Sequence, residues 1–368
     1  MKSSIFITIN SFIGLPPVKQ LVSRISVDEQ IVCVQCNINS FENFFKQPKI
    51  SNKTILDFKS SKAFNSQNLN HKVLKYIKLF RLFISYLFLN RASARNIYTI
   101  DLYSLLLAIT FKGKATKIIY LQYEMVELDR LNKLDSFFLR RIQKKSKKID
   151  LIITPELSRT EYIKKIFYLS DSESFLTIPN TNNFIGEKIL TKPKVTKHVI
   201  THIGAVGLNH HIASYLEAIS ALDQSLYEFR FIGLLTNEVV DIINSYNKSN
   251  ILYVGQVLHS DLKKYYLETD VGVILYKDVS LNHRFCAPNK LYEYWSYGIP
   301  VLGDQLPGLQ GVFTQPFLGE LVDMSIPAHI SDSILRLSIN NHQELILDYF
   351  QSQLKLDNYL NELDSKLA

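Results

Sequence analysis

Only three cysteines occur in 368 residues. That is too few for a disulfide framework and fits a reducing cytoplasm. Cys33 and Cys36 form a C-x-x-C, but no second pair and no helix signal follows, so Ile31 to Cys36 reads as a packed strand and not as a metal or redox centre. No segment reaches the roughly 20 uncharged residues of a membrane span. Lys2 precedes an apolar run, yet the run alternates and meets Asn10 early, so Ile5 to Ile9 reads as a first strand and not a signal peptide. The chain also contains no Asp-x-Asp, which removes a common divalent-metal signature. Its basic residues form no recognisable nucleic-acid reading motif.

What is present is ample apolar material, 46% of the chain, at a length that exceeds what one core usually supports. Two domains are expected. Charge divides the same way: residues 1–180 carry 28 Lys and Arg against 14 Asp and Glu, whereas the remainder carries 14 against 20. A basic first half and an acidic second half imply two units that meet different partners.

Strand-like and helix-like segments alternate almost throughout, the pattern of a parallel sheet with crossover helices. The first half gives a strand at Ile5 to Ile9, a helix from about Pro17, a strand at Asn96 to Ile100 and a helix from Asp101. A strand at Lys117 to Leu121, a helix from Leu128 to Lys147 and a strand at Asp150 to Thr154 follow. The polar stretch Asn39 to Asn70 takes no assignment. Thr177 to Asn183 and Lys188 to Lys197 have linker composition. The alternation then restarts with strands at His198 to Ile203, Glu228 to Ile232, Ile251 to Val254, Val271 to Leu275 and Pro300 to Leu302. Between them lie helices from about Asn209, at Glu238 to Tyr246, at Ser260 to Leu267 and at Pro288 to Tyr297, and a helical tail runs from His342 to Leu367. The expected division is 1–184, 185–340 and a helical tail, 341–368. Two doubly wound domains facing each other would set the carboxyl ends of both sheets on one cleft, where open α/β sheets bind ligands.

The most informative stretch runs from Ala287 through Pro288, Asn289, Lys290, Glu293 and Gly298 to Val301. Proline suits a helix start and glycine a left-handed stop, so the helix is short and fixed at both ends. Lys290 and Glu293, three apart, share one face near an N-terminus, where backbone N–H groups attract phosphate. Read alone, the pair is either a solvated surface pair or a ligand site.

The order of these elements resembles the GT-B glycosyltransferases, specifically the group-1 family that builds bacterial polysaccharides such as capsule or O-antigen from nucleotide sugars. The resemblance spans nearly the whole chain and implies an α/β GT-B fold, two facing Rossmann-like doubly wound domains with a C-terminal helix. By resemblance, the stretch from Pro288 to Tyr294 with Gly298 to Val301 is the helix whose glutamate, Glu293, grips the donor ribose, with Asn289 and Lys290 beside it. Gln256 and Val257 resemble the nucleobase pocket, Gly204 and Gly207 the phosphate-side loop, and Ser11 to Gly14 the first loop, which closes over the diphosphate. Asp101 and Glu124 lie on segments similar to the first-domain turns that face sugar and acceptor.

The chain departs from the family pattern at three places. Phe285 stands where an acidic residue usually precedes the glutamate by eight positions. Leu208 to His211 replace an Arg and a Lys usual after the first glycine, and Tyr123 replaces a histidine. Positive charge is still needed on the leaving diphosphate, and Arg284 and Lys290 are the nearest cations. Each is either a donor contact or a solvated side chain. If the outcome is inversion, Glu124 or Asp101 takes the acceptor proton, unless Asp101 simply caps its helix. His210 and His211, adjacent on a helix, point apart and do not form a metal pair.

The segment His71 to Asn90 places Lys72, Lys75, Lys78, Arg81 and Ser85 on one stripe of an otherwise apolar helix. It suits either an anionic membrane surface or a buried helix with one wet edge. Arg91, Arg95, Lys112, Lys114, Lys117 and the Arg140 to Lys148 cluster add to the basic charge. The resulting expectation is a cytoplasmic hexosyltransferase, peripheral at the inner face of the plasma membrane. It would use a nucleotide sugar, commonly a UDP-hexose, with no cofactor or metal, to glycosylate a lipid-linked or growing glycan. The alternatives are a catalytically degenerate GT-B scaffold and a nucleotide-sugar epimerase.

Overall fold

A computed structural model describes residues 3–8, 18, 21, 30–35, 53–57, 80, 94–169, 174–186 and 197–367. The Ser11 to Gly14 loop, with Gly14, lies outside them, as do the His71 to Asn90 segment apart from Phe80 and most of Asn39 to Asn70. The chain divides into two compact units, Met1–Pro155 with Arg159–Ile178, and Glu156–Ser158 with Pro179–Ala368.

The first unit holds β1 (Ser3–Ile7), β2 (Gln30–Gln35), β3 (Lys53–Asp57), β4 (Ala94–Thr99), β5 (Lys117–Leu121), β6 (Leu151–Thr154) and β7 (Phe175–Thr177). They form one sheet in the order β3-β2-β1-β4-β5-β6-β7, with every pairing parallel. Alternate residues serve opposite faces. Ile5, Ile7, Ile97, Ile118, Tyr120 and Ile152 pack against the helices Leu102–Thr110, Lys133–Gln143 and Leu157–Phe167. Phe6 and Tyr98, of the other parity, stack with ring centroids 4.4 Å apart.

Two expectations need correction here. The helix expected from Leu128 to Lys147 is three pieces: a 3₁₀ turn at Leu128–Arg130, the helix Lys133–Gln143 and a 3₁₀ turn at Ser146–Lys148. Asn132 causes the break, because its side-chain oxygen accepts from the N–H groups of Leu134 and Asp135 and so starts a new helix. The stretch with no assignment contains β3, and Leu157–Phe167 with β7 extends the unit beyond the last element expected.

In the second unit β8 (His198–Ile203), β9 (Tyr227–Ile232), β10 (Ile251–Gly255), β11 (Val271–Val273), β12 (Val301–Asp304) and β13 (Gly319–Val322) form a sheet in the order β10-β9-β8-β11-β12-β13, again all parallel. Two cores lie on its faces. Ile200, Phe229, Phe231, Val271, Val273 and Leu302 meet the helices Ile212–Ser220, Asn237–Ser245 and Pro327–Ile339. Ile203, Ile232, Ile274 and Val301, of opposite parity, meet the helices Leu262–Glu268 and Asn289–Ser296 and the tail. This is a doubly wound unit.

The segment after Ile178 belongs to the second unit for specific reasons. Asn180 Nδ2 donates to the Ala287 carbonyl, Thr181 Oγ1 to the Leu354 carbonyl and the Gly186 N–H to the Ser296 carbonyl. The division therefore falls a few residues before the expected 184/185, and the tail is a part of the second unit. The tail is three pieces: helix Gln343–Tyr349, a π turn at Phe350–Leu354 and helix Leu356–Leu367. Among the described residues no helix is long and apolar enough to cross a membrane.

Candidate active site

A parallel sheet binds ligands beyond the carboxyl ends of its strands, where the strand order reverses. In the second unit that point lies between β8 and β11. Three neighbouring strands end there in glycine with positive φ: Gly204 (+152°), Gly233 (+133°) and Gly255 (+89°). Gly204 N–H donates to the Ile232 carbonyl and Gly233 N–H to the Gly255 carbonyl, so the turns step across the sheet edge. A Cβ on Gly233 would lie 2.2 Å from the Gly204 oxygen. The edge is bare backbone, open to close approach by a ligand.

The helix Asn289–Ser296 stands beside this edge. Pro288 is its N-cap, and Gly298, at φ +73°, closes it by donating to the Trp295 carbonyl. A side chain on Gly298 would meet Gln343 at 2.6 Å, so the stop also serves packing. Leu291, Tyr292, Tyr294 and Trp295 are all buried, each stabilising the placement by about 2 kcal/mol. Tyr294 packs where a Cβ on Gly272 would be, and its hydroxyl donates to the Thr201 carbonyl at 2.8 Å; Trp295 Nε1 donates to Leu318. One helix face is thus nailed to the sheet, and Lys290 and Glu293 occupy the half-buried face.

Glu293 Oε2 accepts from Tyr266 Oη at 2.5 Å and from Lys290 Nζ at 2.7 Å. Its other oxygen has His259 Nε2 4.0 Å away. Tyr266 is stacked on Tyr297, with centroids 4.8 Å apart, and burial together with the Glu293 carboxylate pushes its hydroxyl well above the usual pKa. It remains a donor, which fixes the carboxylate and leaves Oε1 to accept from elsewhere.

Histidines crowd the same strand ends. His202, on β8, is buried and bonds the Val273 carbonyl through Nδ1 at 2.9 Å, while its Nε2 has no partner and lies against Gly204. Burial pushes this ring down to about 4. His210 lies in the loop after β8, 5.6 Å from the Tyr276 ring and 5.3 Å from His283. Burial and then His283 push it down to about 4 as well. His211 Nε2 meets Asp304 at 2.9 Å. None of these rings was expected at the site. His210 and His283 are far apart in sequence, and only β11 and its loop bring them together.

The comparisons with known proteins agree on architecture. No protein-family model matches the sequence, and no curated protein sequence matches it. Solved structures do match over the full length. The lipopolysaccharide outer core galactosyltransferase WaaB is 15% identical, with a TM-score of 0.71 and 100% of both chains covered. Anabaena Alr3699/HepE in complex with UDP and glucose is 10% identical at a TM-score of 0.70, covering 100% of this chain and 99% of that one. A glycosyltransferase from Rickettsia africae is 12% identical at 0.72, covering 100% and 97%. The chain has the GT-B fold. At such identities the likeness speaks for the fold alone.

Within this GT-B chain the expected residues fall as follows. Gly204, Gly207, Gln256, Val257, Arg284, Asn289, Lys290 and Glu293 all lie in or beside the loops at the carboxyl ends of β8, β10 and β11. Gln256 is exposed and Val257 half-buried against the core. Both cations are already paired, Lys290 with Glu293 and Arg284 with Asp278 at 2.9 Å. In the first unit Asp101 caps the Leu102–Thr110 helix: Oδ1 accepts from Ser104 N–H and Oδ2 from Thr8 Oγ1, both at 2.9 Å. Glu124 is exposed just beyond β5, and its carbonyl accepts from Gln122 Nε2. Among the described residues no group of three or more His, Cys, Asp or Glu is placed to hold a metal ion.

Proposed function

We propose that the protein is a glycosyltransferase that moves a hexose from a nucleotide sugar, a UDP-hexose, to a hydroxyl of a lipid-linked or growing surface polysaccharide. The observation that carries this reading is the Glu293 carboxylate, held through one oxygen by Tyr266 and Lys290 and open at the other, beside strand ends edged with glycine. An oriented carboxylate is suited to accept from a ribose hydroxyl, and glycine turns without side chains let a diphosphate approach the backbone. The donor class is supported by the HepE structures of the same fold, which hold UDP, UDP with glucose, and UDP-glucose.

In this reading protein groups, not a divalent metal, meet the leaving diphosphate, since the chain has no Asp-x-Asp. Glu124 is the preferred base for the acceptor hydroxyl, because both oxygens of Asp101 already accept hydrogen bonds. A basic groove in the first unit, lined by Phe137, Arg140, Arg141, Lys144 and Tyr168, supports an anionic lipid-linked acceptor and peripheral attachment to a membrane face. Phe137 and Tyr168 are exposed there, and Arg141 lies over the Phe137 ring.

A scaffold of the same fold is the second reading, favoured by Phe285 and by the pairing of Arg284 and Lys290 with carboxylates. A thermal-shift screen of nucleotides and nucleotide sugars, followed by turnover on lipid extracts with the best donor, separates the two. The enzyme reading expects stabilisation by a nucleotide sugar and transfer; stabilisation without transfer to any extract supports the scaffold.

A further inference from the structure

Among the described residues, the loops beside Glu293 have little unpaired positive charge. Arg284 is paired with Asp278 and Lys290 with Glu293, and Lys277 lies exposed in the loop after β11. Yet a nucleotide sugar brings a diphosphate, and breaking its bond to the sugar leaves more negative charge on the phosphate oxygen.

We propose that His210 and His283 form the diphosphate site, each taking up a proton from solvent as the anion binds. This rests on the nucleotide-sugar reading above. Ring geometry defines the proton positions. His283 Nδ1 lies 3.0 Å from the Lys277 carbonyl and must donate to it, so Nε2 is the free basic atom. His210 Nδ1 accepts from Gly207 N–H at 3.2 Å, with Asn209 Oδ1 3.0 Å away. On protonation Nδ1 gives up Gly207 and donates to Asn209, which frees a backbone N–H of the glycine loop for the phosphate. A Cβ on Gly207 would lie 2.9 Å from that Asn209 oxygen, so the glycine is needed for this exchange.

Burial and the neighbouring rings keep His210 neutral until an anion arrives. His210 faces His283, His211 and the Tyr276 ring, and it also raises the cost of charging His202 beneath the loop. His211 is engaged by Asp304 and Asp278 by Arg284, so neither carboxylate is a partner for the pair. A second observation points to the same place. The buried His202 Nε2, against Gly204, lacks a hydrogen-bond partner; because Nδ1 donates to the Val273 carbonyl, Nε2 is an acceptor, and a hydroxyl of the donor bound at the turn would supply the missing bond.

Calorimetric titration of UDP-glucose in buffers of differing ionisation enthalpy reads proton uptake directly, because neither diphosphate oxygen of that probe titrates near neutrality. At pH 7 the wild-type protein is expected to take up between one and two protons per ligand. Affinity should weaken with rising pH by up to about tenfold per unit for each proton taken up. Uridine, which lacks the diphosphate, should bring no uptake. His210→Asn and His283→Asn should each remove about half of the uptake, while His329→Asn, on the helix Pro327–Ile339, leaves it unchanged. Saturable UDP-glucose binding without uptake, or uptake that survives in the double variant, overturns the histidine assignment and leaves the donor reading intact. Absence of saturable binding overturns the donor reading and the assignment with it.

Discussion

The two sheets share a parallel architecture and differ at the strand ends where their order reverses. Among the described residues of the first unit, Thr8, Ser104 and Asp101 close a capping network between the ends of β1 and β4, while Gln122 Oε1, beyond β5, is buried without a partner. In the second unit the corresponding edge has three glycine turns, a carboxylate with one open oxygen and a histidine nitrogen with no partner. Eight of the nine histidines follow residue 197. A satisfied edge serves the fold, whereas an edge with bare backbone and unmatched acceptors is suited to a ligand. The comparison favours the second unit for the proposed nucleotide site.

The contrast can be broken most severely at Gly233. Its positive φ and the contact with the Gly204 oxygen mean that Gly233→Ala should destabilise the second unit by about 3 kcal/mol or more and abolish nucleotide binding. Chemical denaturation with a nucleotide-binding assay would measure both. Glu293→Ala removes the acceptor and strands Tyr266 and Lys290, so UDP-glucose affinity should fall about 100-fold while the fold persists. Unchanged affinity by calorimetry would reject the site.

Acid sharpens the comparison next. His202 is held near 4 in the folded chain against about 6.5 unfolded. Below pH 6.5 the unfolded chain therefore binds a proton that the folded chain refuses, and stability falls towards pH 4 by on the order of 2–3 kcal/mol. Denaturation at stepped pH should place this loss in the second unit, and His202→Phe should reduce it. The smallest effect is expected in the first unit. Asp101→Ala should cost about 1 kcal/mol through loss of the cap and leave UDP-glucose affinity unaltered.

Much of the second unit is legible in the residues. Alternation marks β8 to its ends, and Pro288 with Gly298 bounds the helix that holds Glu293 to within a residue. Elements without such punctuation are not: β13 is a half-buried edge strand, Gly-Glu-Leu-Val, with only one β-branched residue. In the first unit the apolar period runs on across Asn132, which hides the capping oxygen that divides the helix. The site shows the same limit. Glu293 and the glycines are visible because spacing along one helix or turn defines them. The encounter of His210 with His283 depends on β8 and β11 lying side by side, and no local spacing encodes that pairing. The concentration of histidine after residue 197 was the available signal.

A crystal soaked with UDP-glucose tests the central claim most directly. The account predicts ribose hydroxyls within about 3 Å of Glu293 Oε1 and the diphosphate at the Gly204 turn. A ligand bound at the Thr8–Asp101 edge of the first unit, with Glu293 untouched, would contradict it.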